Sequence, residues 1–299
     1  MKRSFVNIVL LLLPLFVQAE SLFEMGFHGG MASIDGQTVY VISQVGFHGG
    51  GHVYYNYLSS GIIGLRTGLT IDYHNASLGR KDYEDAYSTI DVDNQQMVIA
   101  YSIGTLRERY KTWSVGIPLQ MAVAQDGFIF LAGAKAVFPL STTWEQTVDH
   151  AALSVTYPAY ENTVYESYPL GASRDFRMTN SGQLTLPKVQ WWLSAELNYS
   201  FAIHTEATNH RSYLIIGAYF DYCLTPYTAP TASTESLIML TDTRDGFPLQ
   251  RIYTPIIEAN RQGSKLVTNI GMYDLGIKIS YAISPYDPLK AAKRTCHCL

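Results

Sequence analysis

The pentapeptide GFHGG stands at residues 26–30 and again at 46–50, and His52 follows close behind the second copy. Imidazoles at such intervals suit zinc, copper or nickel, which makes His28, His48 and His52 the candidate metal ligands. On a strand, residues two apart share a face. Gly26, His28 and Gly30 then lie with Glu24, while Gly46, His48, Gly50 and His52 lie with Asn56. Joined as a hairpin through Asp35, Gly36 and Gln37, the two segments bring His28 near His48. A metal would need third and fourth donors, with carboxylates to orient the rings, and parity offers only Glu24. The expectation is therefore that these histidines are hydrogen-bonding filler among glycines, with no metal and no other cofactor required.

Other chemistry is thin. His74 beside Asp72, with Ser77 close by, is the nearest local trio for a hydrolase. The patterns GxSxG, HExxH and the Gly-rich phosphate loop are absent, so the chain is not expected to be an enzyme. Cys296, His297 and Cys298 could hold a soft metal, but at a chain end they read as a short unstructured tail. Cys223 reads as a small buried hydrophobe. Among the sparse charges, Glu24, Arg66, Lys135, Glu196, Asp221, Asp274 and Lys278 fall on the polar parity of their segments. Mixed signs of that kind would form an ion-pair network plugging a narrow lumen.

The elements that must position these residues announce themselves by alternation. Ile63, Leu65, Thr67, Leu69, Ile71 and Tyr73 interleave with Gly64, Arg66, Gly68, Thr70 and Asp72, and the same split recurs over Trp113–Val123, Trp191–Phe201 and Tyr273–Tyr281. Period two marks strands between two environments. A soluble sandwich would fill its wet face with Lys, Glu and Thr; here the polar parity is rich in Gly and Ser. That suits a crowded barrel interior, with the apolar parity turned to lipid. Strands are expected at 21–31, 45–57, 62–73, 98–123, 128–138, 188–202, 212–224 and 267–283. Short turns at 58–61, 124–127 and 203–211 alternate with long external segments that include 139–188 and 225–266. The chain thus reads as all-β, an antiparallel up-and-down transmembrane β-barrel of eight strands. Ten are possible, because 98–123 is long for one crossing and could hide two more.

Lys2 and Arg3 precede an apolar run from Ile8 to Val17 that closes in Val-Gln-Ala, the pattern of a signal peptide over 1–19. The barrel is expected over 20–284 and a short tail over 285–299. No segment offers the roughly 18 uninterrupted apolar residues of a membrane helix. Without Lys2 and Arg3 the basic residues number 21 − 2 = 19 against 25 acidic, a net of −6, which argues against nucleic acid as a partner.

The runs MGFHGGM, GGGHVYYNYLSSGIIGLRTGLTIDYHNASL, LRERYKTWSVGIPLQM, FLAGAKAVFPL, WWLSAELNYSF and YLIIGAYFDYCL together resemble outer-membrane β-barrel proteins of Bacteroidales related to the transmembrane domain of outer-membrane protein A. The resemblance covers nearly the whole mature chain. It implies eight strands in the bacterial outer membrane, among its lipid and lipopolysaccharide. Many members continue into a periplasmic peptidoglycan-binding domain, which is not expected after SPYDPLKAAKRTCHCL. An eight-stranded barrel is only wide enough for its own side chains, so function is sought outside. The segments SLGRKDYEDAYSTIDVDNQQ, STTWEQTVDHAALSVTYPAYENTVYESYPLGASRDF and TPYTAPTASTESLIMLTDTRDG are rich in Tyr, Thr, Ser and Asp. Such surfaces make adaptable contacts. The expectation is a structural, adhesion-type surface protein that meets an extracellular protein or glycan through long loops. A small pore or transporter for specific solutes is the alternative, and the oligomeric state is not legible.

Overall fold

The computed structural model describes residues 19–37, 41–59, 63–90, 94–160, 163–169, 177–203, 212–226, 237–241, 250–261 and 264–284. The expected signal peptide, apart from Ala19, and the Cys296-His297-Cys298 tail lie outside them. In chain order the strands are β1 (Ala19–Gln37), β2 (Ile42–Ser59), β3 (Ile63–Ile90), β4 (Gln96–Gln125), β5 (Phe128–Tyr157), β6 (Thr163–Pro169), β7 (Arg177–Gln183), β8 (Gln190–Ile203), β9 (Ser212–Cys223), β10 (Ile238–Thr241), β11 (Gln250–Tyr253), β12 (Asn260–Arg261), β13 (Ser264–Lys265) and β14 (Thr268–Ile283). Eight of them close a ring, β1-β2-β3-β4-β5-β8-β9-β14 and back to β1, every neighbour antiparallel. Closure leaves the ring without a free edge. The short turn between β4 and β5 places Asp126 at φ 51° and Gly127 at φ 86°, the doubly positive geometry of tight hairpins.

The wall is inside out relative to a soluble protein. Phe27 is 78% exposed, Leu69 55% and Ile277 65%, whereas Glu24, Arg66 and Lys278 are at most 2% exposed. The polar parity is buried and the apolar parity is bare, as lipid as the outer solvent demands. Aromatic residues border this band. Tyr73 and Trp113 meet at 5.0 Å on one rim, and Phe128, Tyr199 and Phe201 stack edge to face at 4.7–4.9 Å on the other. From Trp191 to Phe201 along β8 the rise is about 25 Å at a strand tilt of about 40°, the thickness of the apolar band of such barrels. The fold is a transmembrane β-barrel of eight strands.

The long 98–123 segment resolves as part of one strand. β4 runs 30 residues, and its outer half pairs with 77–90 of β3 on one side and with 141–156 of β5 on the other. No extra crossing is hidden there. Much of the sequence assigned to external loops is therefore strand, including 74–90, 139–157 and the short β6 and β7 ladders along β5. Local breaks conceal this from a parity count, one of them on β4, where the inward set moves from Ile99, Tyr101 and Ile103 to Leu106, Glu108 and Tyr110. Leu140 is a bulge between Pro139, paired with Ser114, and Ser141, paired with Trp113; inward residues are odd before it (Lys135, Val137) and even after it (Thr142, Trp144). On β3 the inward set moves from Ala76 and Leu78 to Tyr83 and Asp85 across Asp82, whose φ is 51°. Each break inverts the pattern that identifies a strand.

The extension has its own core. Ile99, Ile103, Leu106, Tyr110, Trp144 and Val148 face inward against Leu237, Ile256, Ile257, Leu266 and Val267 from the segment between β9 and β14 and against Ile270 of β14. The barrel is thus polar inside at membrane level and apolar inside above it.

Candidate functional site in the barrel lumen

Register brings the inward residues together. Across β1 and β2, His28 pairs with Gly50, Gly30 with His48 and Gly26 with His52; across β2 and β3, His48 pairs with His74 and Gly50 with Asp72. The four imidazoles form a column. His74 and His48 stack at 4.3 Å, His48 and His28 centroids are 5.0 Å apart, His28 and His52 are 5.5 Å apart, and His52 stacks on Tyr54 at 4.6 Å. Glycine at 50 is what lets them meet, because a β-carbon there would lie 2.8 Å from both His28 Nε2 and Asp72 Oδ1. Gly116 likewise leaves the volume that the Lys135 chain occupies.

Two charged nodes flank the column. In the one nearer the short turns, Arg66 donates from Nη1 to Glu196 at 2.6 Å, from Nη2 to Glu24 at 2.9 Å and from Nε to Asn56 at 2.7 Å. Lys278 binds Glu196 and lies 3.2 Å from Glu24. Both cations sit over the Tyr54 ring, at 4.8 and 5.3 Å, an arrangement worth more away from water. In the outer node, Lys135 lies 2.8 Å from Asp72 and 3.5 Å from Asp221, and Ser194 donates to Asp221. His28 Nε2 lies 2.8 Å from Asp72 Oδ1, and His74 Nε2 lies 2.8 Å from Asp274 Oδ2. Glu24, Arg66, Lys135, Glu196, Asp221, Asp274 and Lys278 all point inward, divided between these nodes.

Asp72 and His74 belong to this network, and neither was placed there by the sequence. Their signal lay in β3, where both share the parity of Arg66 and face Gly50 and His48. The hydrolase trio does not assemble: His74 turns to Asp274, Asp72 turns to His28, and Ser77 has the opposite parity. Cys223 is buried, its thiol donating to the Thr225 carbonyl at 3.1 Å. Counted at membrane level, the buried acids Glu24, Asp72, Glu196, Asp221 and Asp274 exceed the bases Arg66, Lys135 and Lys278 by 5 − 3 = 2. Buried polar atoms here without a hydrogen-bond partner include His48 Nε2, Asp274 Oδ1 and Glu24 Oε1.

No protein-family model and no curated protein sequence matches the chain. Among solved structures it is similar to Neisserial surface protein A (NspA), with 10% identity over 90% of this chain and 99% of that one and a TM-score of 0.32. It is also similar to Ail, the attachment invasion locus protein of Yersinia pestis, solved with the heparin analogue sucrose octasulfate, with 9% identity over 88% of this chain and 99% of that one and a TM-score of 0.25.

Proposed function

We propose that this chain is an integral barrel of the bacterial outer membrane, of the kind its sequence resembles, that acts as a surface-interaction protein. The carrying observation is the extension. Gln96–Lys111 of β4 lies beyond the Trp113 rim, about 50 Å of strand that lipid does not require. Barrels of this class keep short turns in the periplasm and send their long connections outside, which supports a cell-surface position for the extension. Its inner face is packed with Tyr83, Ile99, Leu106 and Trp144, while its outer face carries Lys81, Asp82, Glu84, Arg107, Arg109 and Glu145. A stiff, charged β-platform can hold a protein or glycan ligand without first ordering a loop. A small pore is disfavoured by an interior occupied at both levels by packed side chains.

The test uses cells that display the protein. Adhesion to a panel of immobilised extracellular proteins and sulfated glycans should rise over vector-only cells, and it should fall when Lys81, Arg107 and Arg109 are changed together to Glu. Purified protein should give no stepwise conductance in planar bilayers. Unaltered adhesion in the triple variant, together with steady conductance steps, would favour the pore.

A further inference from the structure

We propose that the lumen binds a divalent transition-metal ion of the zinc class through His28 Nε2, His48 Nε2 and Asp72 Oδ1. One ligand atom from each of these residues lies within 4.8 Å of the others, and all three residues are largely or wholly buried. Asp72 Oδ1 is 2.8 Å from His28 Nε2 and 3.8 Å from His48 Nε2. Tetrahedral zinc with bonds of about 2.0–2.1 Å separates its ligand atoms by about 3.4 Å. One gap would open by about half an ångström and the other would close by about as much, which are rotamer-scale adjustments.

The far side of every ligand is already held. His28 Nδ1 is 3.3 Å from His52 Nδ1, His48 Nδ1 is 2.9 Å from the Tyr219 hydroxyl, and Asp72 Oδ2 accepts from Thr70 at 2.7 Å and from Lys135 at 2.8 Å. Partners of this sort orient metal-binding rings and carboxylates. On the near side, His48 Nε2 is fully buried, has no hydrogen-bond partner and faces Asp72. In the tautomer whose Nδ1–H points at Tyr219, Nε2 presents its lone pair. Gly50 completes the cradle, since a β-carbon would enter the space between His28 and Asp72.

Charge supplies an independent reason. The membrane-level lumen carries two more buried acids than bases, and an uncompensated buried charge is severely unfavourable. A dication cancels that excess. On binding, the His28 proton moves from Nε2 to Nδ1, toward His52 Nδ1, so that Nε2 presents its lone pair and no proton is lost. Two imidazoles and one carboxylate select for zinc and its neighbours over magnesium or calcium. The closed wall implies that the ion enters as the barrel folds.

Protein refolded into detergent with Zn²⁺ and then desalted should retain one zinc per barrel by elemental analysis. His48→Gln should lose it. His74→Gln, a change beside the ligands but outside the set, should keep it. Because a variant can fail to refold, wild-type barrel refolded with Cu²⁺ supplies a second readout, and its electron paramagnetic resonance spectrum should show hyperfine coupling to two imidazole nitrogens. Wild-type protein that folds, by its heat-modifiable gel mobility, yet holds neither ion would overturn the proposal. Loss of zinc from folded His74→Gln would overturn it as well, in favour of the neighbouring group His48, His74 and Asp274.

Discussion

Gly50 faces His28 across the β1–β2 ladder, and a β-carbon at residue 50 would stand 2.8 Å from both His28 Nε2 and Asp72 Oδ1. The neighbouring Gly51 faces outward, and a β-carbon there would find its nearest atoms at 3.7 Å. Gly50→Ala should therefore overpack the lumen and destabilise the barrel by about 1–3 kcal/mol. Gly51→Ala should stay within about 0.5 kcal/mol of wild type. Urea midpoints in matched detergent decide the matter, and equal effects at the two positions would refute the inward placement of the GFHGG histidines.

The exterior is tested by charge. Leu69 lies in the lipid-facing band and Ile90 at the far end of β3, 55% and 62% exposed. Similar exposure hides different solvents. Leu69→Arg should cost about 2–4 kcal/mol in a bilayer, while Ile90→Arg should cost less than about 0.5 kcal/mol because water already surrounds it. Comparable losses from refolding measurements in lipid vesicles would mean that the band is misplaced.

Arg66 holds Glu24, Glu196 and Asn56 at once. Arg66→Met leaves Lys278 alone to balance both carboxylates, and breaking a buried pair in this way costs about 3–5 kcal/mol. Adding Glu196→Gln should recover part of that loss, since one orphaned charge is removed. A double-mutant cycle on unfolding free energies measures the coupling, and strict additivity would show that the node is not a unit.

How much of this was legible in sequence follows from where the alternation is clean. Ile63–Tyr73, Trp113–Val123 and Tyr273–Tyr281 keep one parity throughout the membrane, so both the faces and the inward acids and bases could be read directly. The extension could not, because Leu140 and Asp82 invert the parity within continuous strands. The site was half visible for a related reason. Parity places His28 and His48 inward, but only the β2–β3 register sets Asp72 opposite Gly50 and His74 opposite His48. That register runs unbroken from Ser59↔Ile63 at the short turn to Phe47↔Asn75, so it is set by where the turn closes, which alternation alone does not fix.

Glu108 gives the extension a pH dependence. It is fully buried, meets the Tyr110 hydroxyl, and accepts from Gln146 Nε2 at 2.7 Å and from the Ile256 amide at 2.9 Å. Burial pushes its carboxyl up from 4.5 to about 8, against the opposing pull of Gln146 and Ile256 and with a small contribution from Glu258. Between those two values the folded extension keeps a proton that the unfolded chain has released. By linkage, stability then falls as pH rises through this window and levels off above the folded value. The total change should be on the order of a few kcal/mol. Hydrogen exchange of the paired outer halves of β3 and β4 should accordingly show less protection in mild alkali than in mild acid, after correction for intrinsic rates. Glu108→Gln keeps the shape and one acceptor oxygen without titrating, so its protection should be flat across the window. Protection that rises with pH in wild type, or a slope unchanged in Glu108→Gln, would mean that this carboxyl does not control the extension.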